Sequence, residues 1–125
     1  MKNNRQLGIW MDHANAILME LLDNSITQST IKSEFTYEEK EDSLRKSEKL
    51  MHNKEQQEQS AYYKELGETI KNFDEVLLFG PTNAKDELYN LLKDNQKFIS
   101  IKIEVKQGDK MTDNQMHAFV KKYYN

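Results

Sequence analysis

The chain has 125 residues, 37% apolar and 31% charged, with a net charge of −3 and no cysteine. That length fits one domain with a real core; the missing cysteines exclude a disulfide framework and thiolate chemistry. A mean hydropathy of −0.91 requires some stretch to be almost wholly solvated, and no run nears the ~20 apolar residues of a membrane span.

Residues 6 to 23 predict two strands around a turn. Leu7, Ile9 and Met11 alternate with Gly8 and Trp10, Asp12-His13-Ala14-Asn15 interrupts, and Ala16-Ile17-Leu18-Met19 resumes the apolar run. Residues 26–35 predict a third, mostly polar strand, suited to a sheet edge with one wet face. Residues 38–58 are charged and amide-rich, with Leu44, Leu50 and Met51 too sparse for a buried face, and predict a polar arm, either an exposed helix or a mobile, partly disordered segment.

From Ala61 to Phe73, residues Tyr62, Leu66, Thr69, Ile70 and Phe73 recur at steps of three and four, the stripe of a helix packed on a sheet. Glu75 to Phe79 reads as a strand covered on both faces. Asn83 to Lys93 predicts a helix with Ala84, Leu88, Leu91 and Leu92 inward, and the alternation of Ile99, Ile101, Ile103 and Val105 predicts a strand over 98–105. Thr112 opens a last helix carrying Met116, Phe119, Val120 and Tyr123. The order βββ-α-β-α-β-α implies an α/β fold in which an antiparallel meander is followed by parallel strands.

Two strand-to-helix turns are candidate sites. At 80–83, Gly80 permits an unusual backbone, Pro81 ends the strand, and Asn83 with Asp86 suggests a variant capping box. A single glycine does not make a phosphate cradle, and Asp86 and Glu87 put negative charge where an anion would dock, so this turn by itself reads as structural. At 107–112, Thr112 and Gln115 form a T-x-x-Q capping box. Parallel strands end on one edge, so the two turns should be neighbours on the edge where open α/β sheets bind ligands. The candidate contact residues are Gly80, Pro81, Thr82, Asn83, Lys85, Asp109, Lys110 and Thr112.

Asp12, at the end of the first strand, is the position from which a nuclease would hold Mg²⁺, with Glu20 or Asp109 as imaginable partners; the competing reading is a turn residue, which the lack of an acidic cluster favours. His13, His52 and His117 have no zinc spacing, and there is no G-x-S-x-G elbow or cofactor motif, so no cofactor is expected. Only two of the eighteen basic residues are Arg, which with the net charge weighs against nucleic acid, although a local basic patch stays open. In Tyr62-Tyr63 and Tyr123-Tyr124, one tyrosine of each pair is expected to pack and the other to face solvent.

The segments GIWMDHANAILM, HNKEQQEQSAYYKEL, EVLLFGPTNAKDEL and DKMTDNQMHAFVKKYY, in this order, resemble small bacterial proteins of the translational-machinery or host-attachment-like group. That group is related to the middle domain of archaeal and eukaryotic peptide-chain release factors and of Pelota. The resemblance covers Gly8 to Tyr124 and implies a ribonuclease H-like fold. Release factors carry a Gly-Gly-Gln loop in this domain for peptidyl-tRNA hydrolysis, whereas the corresponding residues 36–60 contain no glycine. The hydrolytic role is therefore not carried over. Pelota also lacks the motif and works in ribosome rescue, so the resemblance implies a non-catalytic cytoplasmic module with a ribosome or translation-factor partner. A metal-dependent nuclease or phosphohydrolase using Asp12 is the alternative, and homodimerisation through the arm is a third reading.

Overall fold

A computed structural model describes residues 5–33 and 60–124 of the chain. The polar arm expected at 38–58 lies outside the described residues.

Three strands open the fold: β1 (Gln6–Met11), β2 (Asn15–Leu22) and β3 (Ser25–Lys32). They form the expected antiparallel meander, with Met11 opposite Ala16 and Leu22 opposite Ser25. The β2–β3 turn needs only Asp23 and Asn24, at φ 51° and 67°. Positive φ at both central residues is the type I′ pattern, whose twist matches that of the strands, and Asp and Asn tolerate it better than most residues. The third strand ends at Lys32, short of the expected Phe35, where the Ser33 amide donates to Ala14 O at 2.7 Å.

Helix α1 runs through 60–70 and leads into β4 (Glu75–Gly80), which pairs parallel to β1. Helix α2 (Ala84–Leu92), a 3₁₀ turn (Gln96–Phe98), β5 (Lys102–Gln107) and α3 (Asp113–Tyr124) complete the described chain. β5 pairs parallel to β4, giving one mixed sheet in the order β3-β2-β1-β4-β5. An antiparallel meander followed by parallel strands is the arrangement expected from the element order.

Strand parity sorts the core into two layers. Leu7, Ile9, Met11, Val76 and Leu78 face α1 and α2, where they meet Tyr62, Leu66, Ile70, Ala84, Leu88 and Leu92. Trp10, Met19, Leu77 and Phe79 face α3 and pack on Met116 and Val120. β1 and β4 are thus covered on both sides, which explains their near-continuous apolar runs. Phe79 and Phe119 stack with ring centroids 4.5 Å apart.

Four local expectations need correction. The last strand starts at Lys102, because Asn95 caps the 3₁₀ turn by accepting from Lys97 N at 3.0 Å and Ile99 follows it with 79% exposure. Leu91, expected inward, is 58% exposed, since the α2 stripe turns on Ala84, Leu88 and Leu92. Tyr62 and Tyr63 are both buried, and Tyr123 and Tyr124 are both half-buried, because every one of them reaches a neighbouring element: Tyr62 Asp12 O, Tyr63 Glu87 on α2, Tyr123 Glu104 and Tyr124 Leu7 O. Asn83 makes no side-chain cap; Thr82 Oγ1 instead accepts from Ala84 N at 3.2 Å. Among the described residues no helix is long and apolar enough to cross a membrane.

Candidate functional site at the C-terminal edge of the sheet

β1, β4 and β5 are parallel, so their C-terminal ends bring residues 12–15, 80–83 and 107–112 to one edge. The neighbourhood of the last two, read from the sequence, is present: the Gly108 amide donates to Gly80 O at 3.2 Å. The Trp10 indole N–H, from the buried end of β1, donates to Asp109 O at 3.1 Å and ties the β5–α3 loop to the sheet. The T-x-x-Q box closes as expected, with Gln115 N donating to Thr112 Oγ1 at 3.2 Å and Thr112 N donating to Gln115 Oε1 at 2.9 Å.

The eight candidate residues divide into two groups. Gly80 and Lys85 are buried, Pro81 and Thr82 half-buried, and Asn83, Asp109, Lys110 and Thr112 exposed. Lys85 is 3% exposed; its Nζ donates to Thr82 O at 2.5 Å and lies 3.8 Å from Asp86 Oδ2. A buried ammonium spent on the turn's own carbonyl holds the corner and is not presented to a partner. With Asp86 and Glu87 in the first turn of α2, this junction is not an anion cradle.

Asp12 is engaged in the β1–β2 turn through its backbone amide and one carboxylate oxygen. Its Oδ1 accepts from Ala14 N at 2.8 Å and Asn15 N at 2.7 Å, and its amide donates to Asn15 O at 2.9 Å. Glu20 sits opposite Leu7, roughly 16 Å back along the sheet from Asp12, so it is no partner for a shared ion. Among the described residues no three His, Cys, Asp or Glu side chains are grouped to hold a metal. Asp12→Asn keeps the accepting oxygen and should change stability by less than about 0.5 kcal/mol, whereas Asp12→Ala should cost about 1–2 kcal/mol in urea unfolding. A Mg²⁺-induced rise in Tm of the wild type that Asp12→Asn abolishes would instead restore the metal reading.

One cluster at this edge has no sequence signature. Glu87 Oε2 lies 3.3 Å from His13 Nε2, and Glu87 Oε1 accepts from Tyr63 OH at 2.6 Å. The Tyr63 hydroxyl holds the Glu87 carboxyl below the usual range, burial opposes this, and His13 adds to it. Beside them Tyr62 OH donates to Asp12 O at 2.9 Å, its own pKa raised first by burial and then by the Asp12 charge. His13 and Glu87 thus stand exposed at this edge, braced from below by the buried Tyr62 and Tyr63.

No family model and no curated protein sequence matches the chain. Solved structures do. Pelota from Archaeoglobus fulgidus matches with a TM-score of 0.63 at 10% identity over 97% of this chain and 32% of that one. Pelota from Thermoplasma acidophilum matches with a TM-score of 0.60 at 14% identity over 94% of this chain and 32% of that one. The chain thus spans about a third of the length of each of these proteins, and the likeness is one of fold.

Proposed function

We propose that this chain is a one-domain, non-catalytic binding module of the translation machinery. In this reading it belongs with the bacterial translational-machinery or host-attachment-like proteins and is related to the release-factor middle domain. The observation that carries the reading is the structural likeness to Pelota over nearly the whole chain, joined to the FGPTNAKDEL and DKMTDNQ segments that suggested the same relationship. The absence of any glycine from residues 36–60 argues against a Gly-Gly-Gln loop there and favours binding over hydrolysis.

The contact surface in this proposal is the C-terminal edge. Pro81, Thr82, Asn83, Asp109, Lys110 and Thr112 meet the partner, and Gly80 and Lys85 support them from below. Because Lys85 is consumed internally and α2 opens with two carboxylates, the edge suits a protein surface of a ribosome or translation factor better than a run of phosphates.

Sucrose-gradient sedimentation tests this. The wild type should co-sediment with ribosomes or a subunit at low salt, and an Asn83→Arg/Lys110→Glu variant with unchanged Tm should shift to the top fractions. Wild-type protein confined to the top at low salt, in growing and in stressed cells alike, overturns the proposal.

A further inference from the structure

A second surface lies on the outer side of the helical layer, away from the C-terminal edge. α1 and α2 leave between them a groove of roughly 400 Å³. Its floor is Gly67, Leu92 and Phe98, and its wall is Leu91. Gly67 contributes no side chain; Phe98 Cζ and Leu92 Cδ2 close the floor at 3.5 and 3.6 Å from where its Cβ would stand. Leu91, 58% exposed, is one of the three large apolar side chains exposed among the described residues. An exposed leucine alone is unremarkable, but one that walls a groove with an apolar floor extends a continuous patch.

The rim is cationic. Lys64, Lys71 and Lys97 border the groove, against one carboxylate, Glu68. Glu68 is engaged by Lys71 at 3.0 Å, and its carboxyl is held low first by that lysine and further by Lys97 and Lys64. The groove therefore carries a surplus of positive charge in a chain whose net charge is −3. An apolar floor between lysines complements a segment that offers apolar anchors flanked by carboxylates.

We infer that the α1–α2 groove is a docking site for an acidic, amphipathic helical segment of a protein partner, its apolar side chains seated on Leu91, Leu92 and Phe98 and its carboxylates met by Lys64, Lys71 and Lys97. The inference stands apart from the translational reading, since its anchoring residues are none of the candidate contact residues of the C-terminal edge; Tyr63 lines the groove and also braces the edge cluster. A polyanion such as RNA would engage the lysines but has no need of the leucine wall.

Fluorescence anisotropy of the full chain separates these cases. The probe is a fluorescein-labelled peptide with leucines at steps of three and four flanked by glutamates. It should bind saturably, with a Kd on the order of 10 µM that weakens as salt rises. Leu91→Ser and Lys64→Glu/Lys97→Glu should each weaken it at least ~5-fold at unchanged Tm, as expected for central anchors and complementary charge. A scrambled peptide of the same composition should bind poorly. The inference is overturned by no saturable binding up to about 1 mM, by equal binding of the scrambled peptide, or by an intact response in Leu91→Ser. Tighter binding of a labelled single-stranded RNA, lost in the lysine variant and kept in Leu91→Ser, overturns it in favour of a polyanion surface. None of these results bears on ribosome sedimentation.

Discussion

Replacing Gly80 with alanine is expected to destabilise the protein by about 3–5 kcal/mol, a large part of the total stability of a domain this size. Gly80 closes β4 at φ +153°, a region that L side chains rarely adopt, and a Cβ there would stand 2.1 Å from Met11 O. The obstacle is backbone of the central strand β1, held on both sides by β2 and β4, so it cannot step aside. Gly80 O also accepts from Gly108 N, and β4 must therefore shift at the point where the two edge turns meet. Thermal unfolding by circular dichroism should report a fall in Tm of roughly 10 °C or more. A fall within ~2 °C would mean that the corner is looser than this packing requires. Because Thr82 and Lys85 are braced from the same turn, surviving folded protein should also lose its contact to any partner of that edge.

The fold was legible where one physical rule acted alone. Glu75–Gly80 is apolar without alternation because helices cover both faces, and the strand is where that reading puts it. Asp12 in its turn and Thr112 with Gln115 in its box are local hydrogen-bond patterns, and both form. Legibility failed where a local signal was shared by two structures. The isoleucine alternation begins at Ile99, but Asn95 caps a 3₁₀ turn first, so strand pairing starts only at Lys102, opposite Glu75. Asn83 and Asp86 have capping-box spacing, yet it is Thr82, one residue earlier, whose side chain accepts from the Ala84 amide.

The candidate site was half legible for a related reason. Topology alone predicts that 80–83 and 107–112 meet, since parallel strands end together. The His13–Glu87–Tyr63 cluster joins residues up to 74 positions apart, from a hairpin and two helices, and no spacing rule links them. Lys85 is followed by the exposed Asp86 and Glu87, and only the packing of α2 decides that its ammonium turns inward.

The contact between the sheet and α3 supports a second strong prediction, with a rescue that Gly80 cannot have. Gly8 on β1 faces Val120, which is fully buried, and a Cβ at Gly8 would stand 2.4 Å from Val120 Cγ2 and 3.0 Å from Cγ1. A valine in a helix has essentially one χ1 rotamer, so it cannot swing away, and α3 must lift from the sheet to admit the methyl. Gly8→Ala should therefore cost about 2–3 kcal/mol. Val120→Ala alone should cost about 2 kcal/mol for the lost methyls and the space they leave. Here the obstacle is a side chain, and the added methyl enters the volume that Val120→Ala vacates. The double variant should then be about 1–2 kcal/mol more stable than the sum of the single effects, the remaining cost coming from the Val120 Cβ, which would still stand 3.2 Å from the added methyl. Strict additivity in urea unfolding would mean that α3 does not rest on Gly8. The same Val120→Ala change should give no relief to Gly80→Ala, where the blocking atom is a backbone oxygen and no truncation removes it.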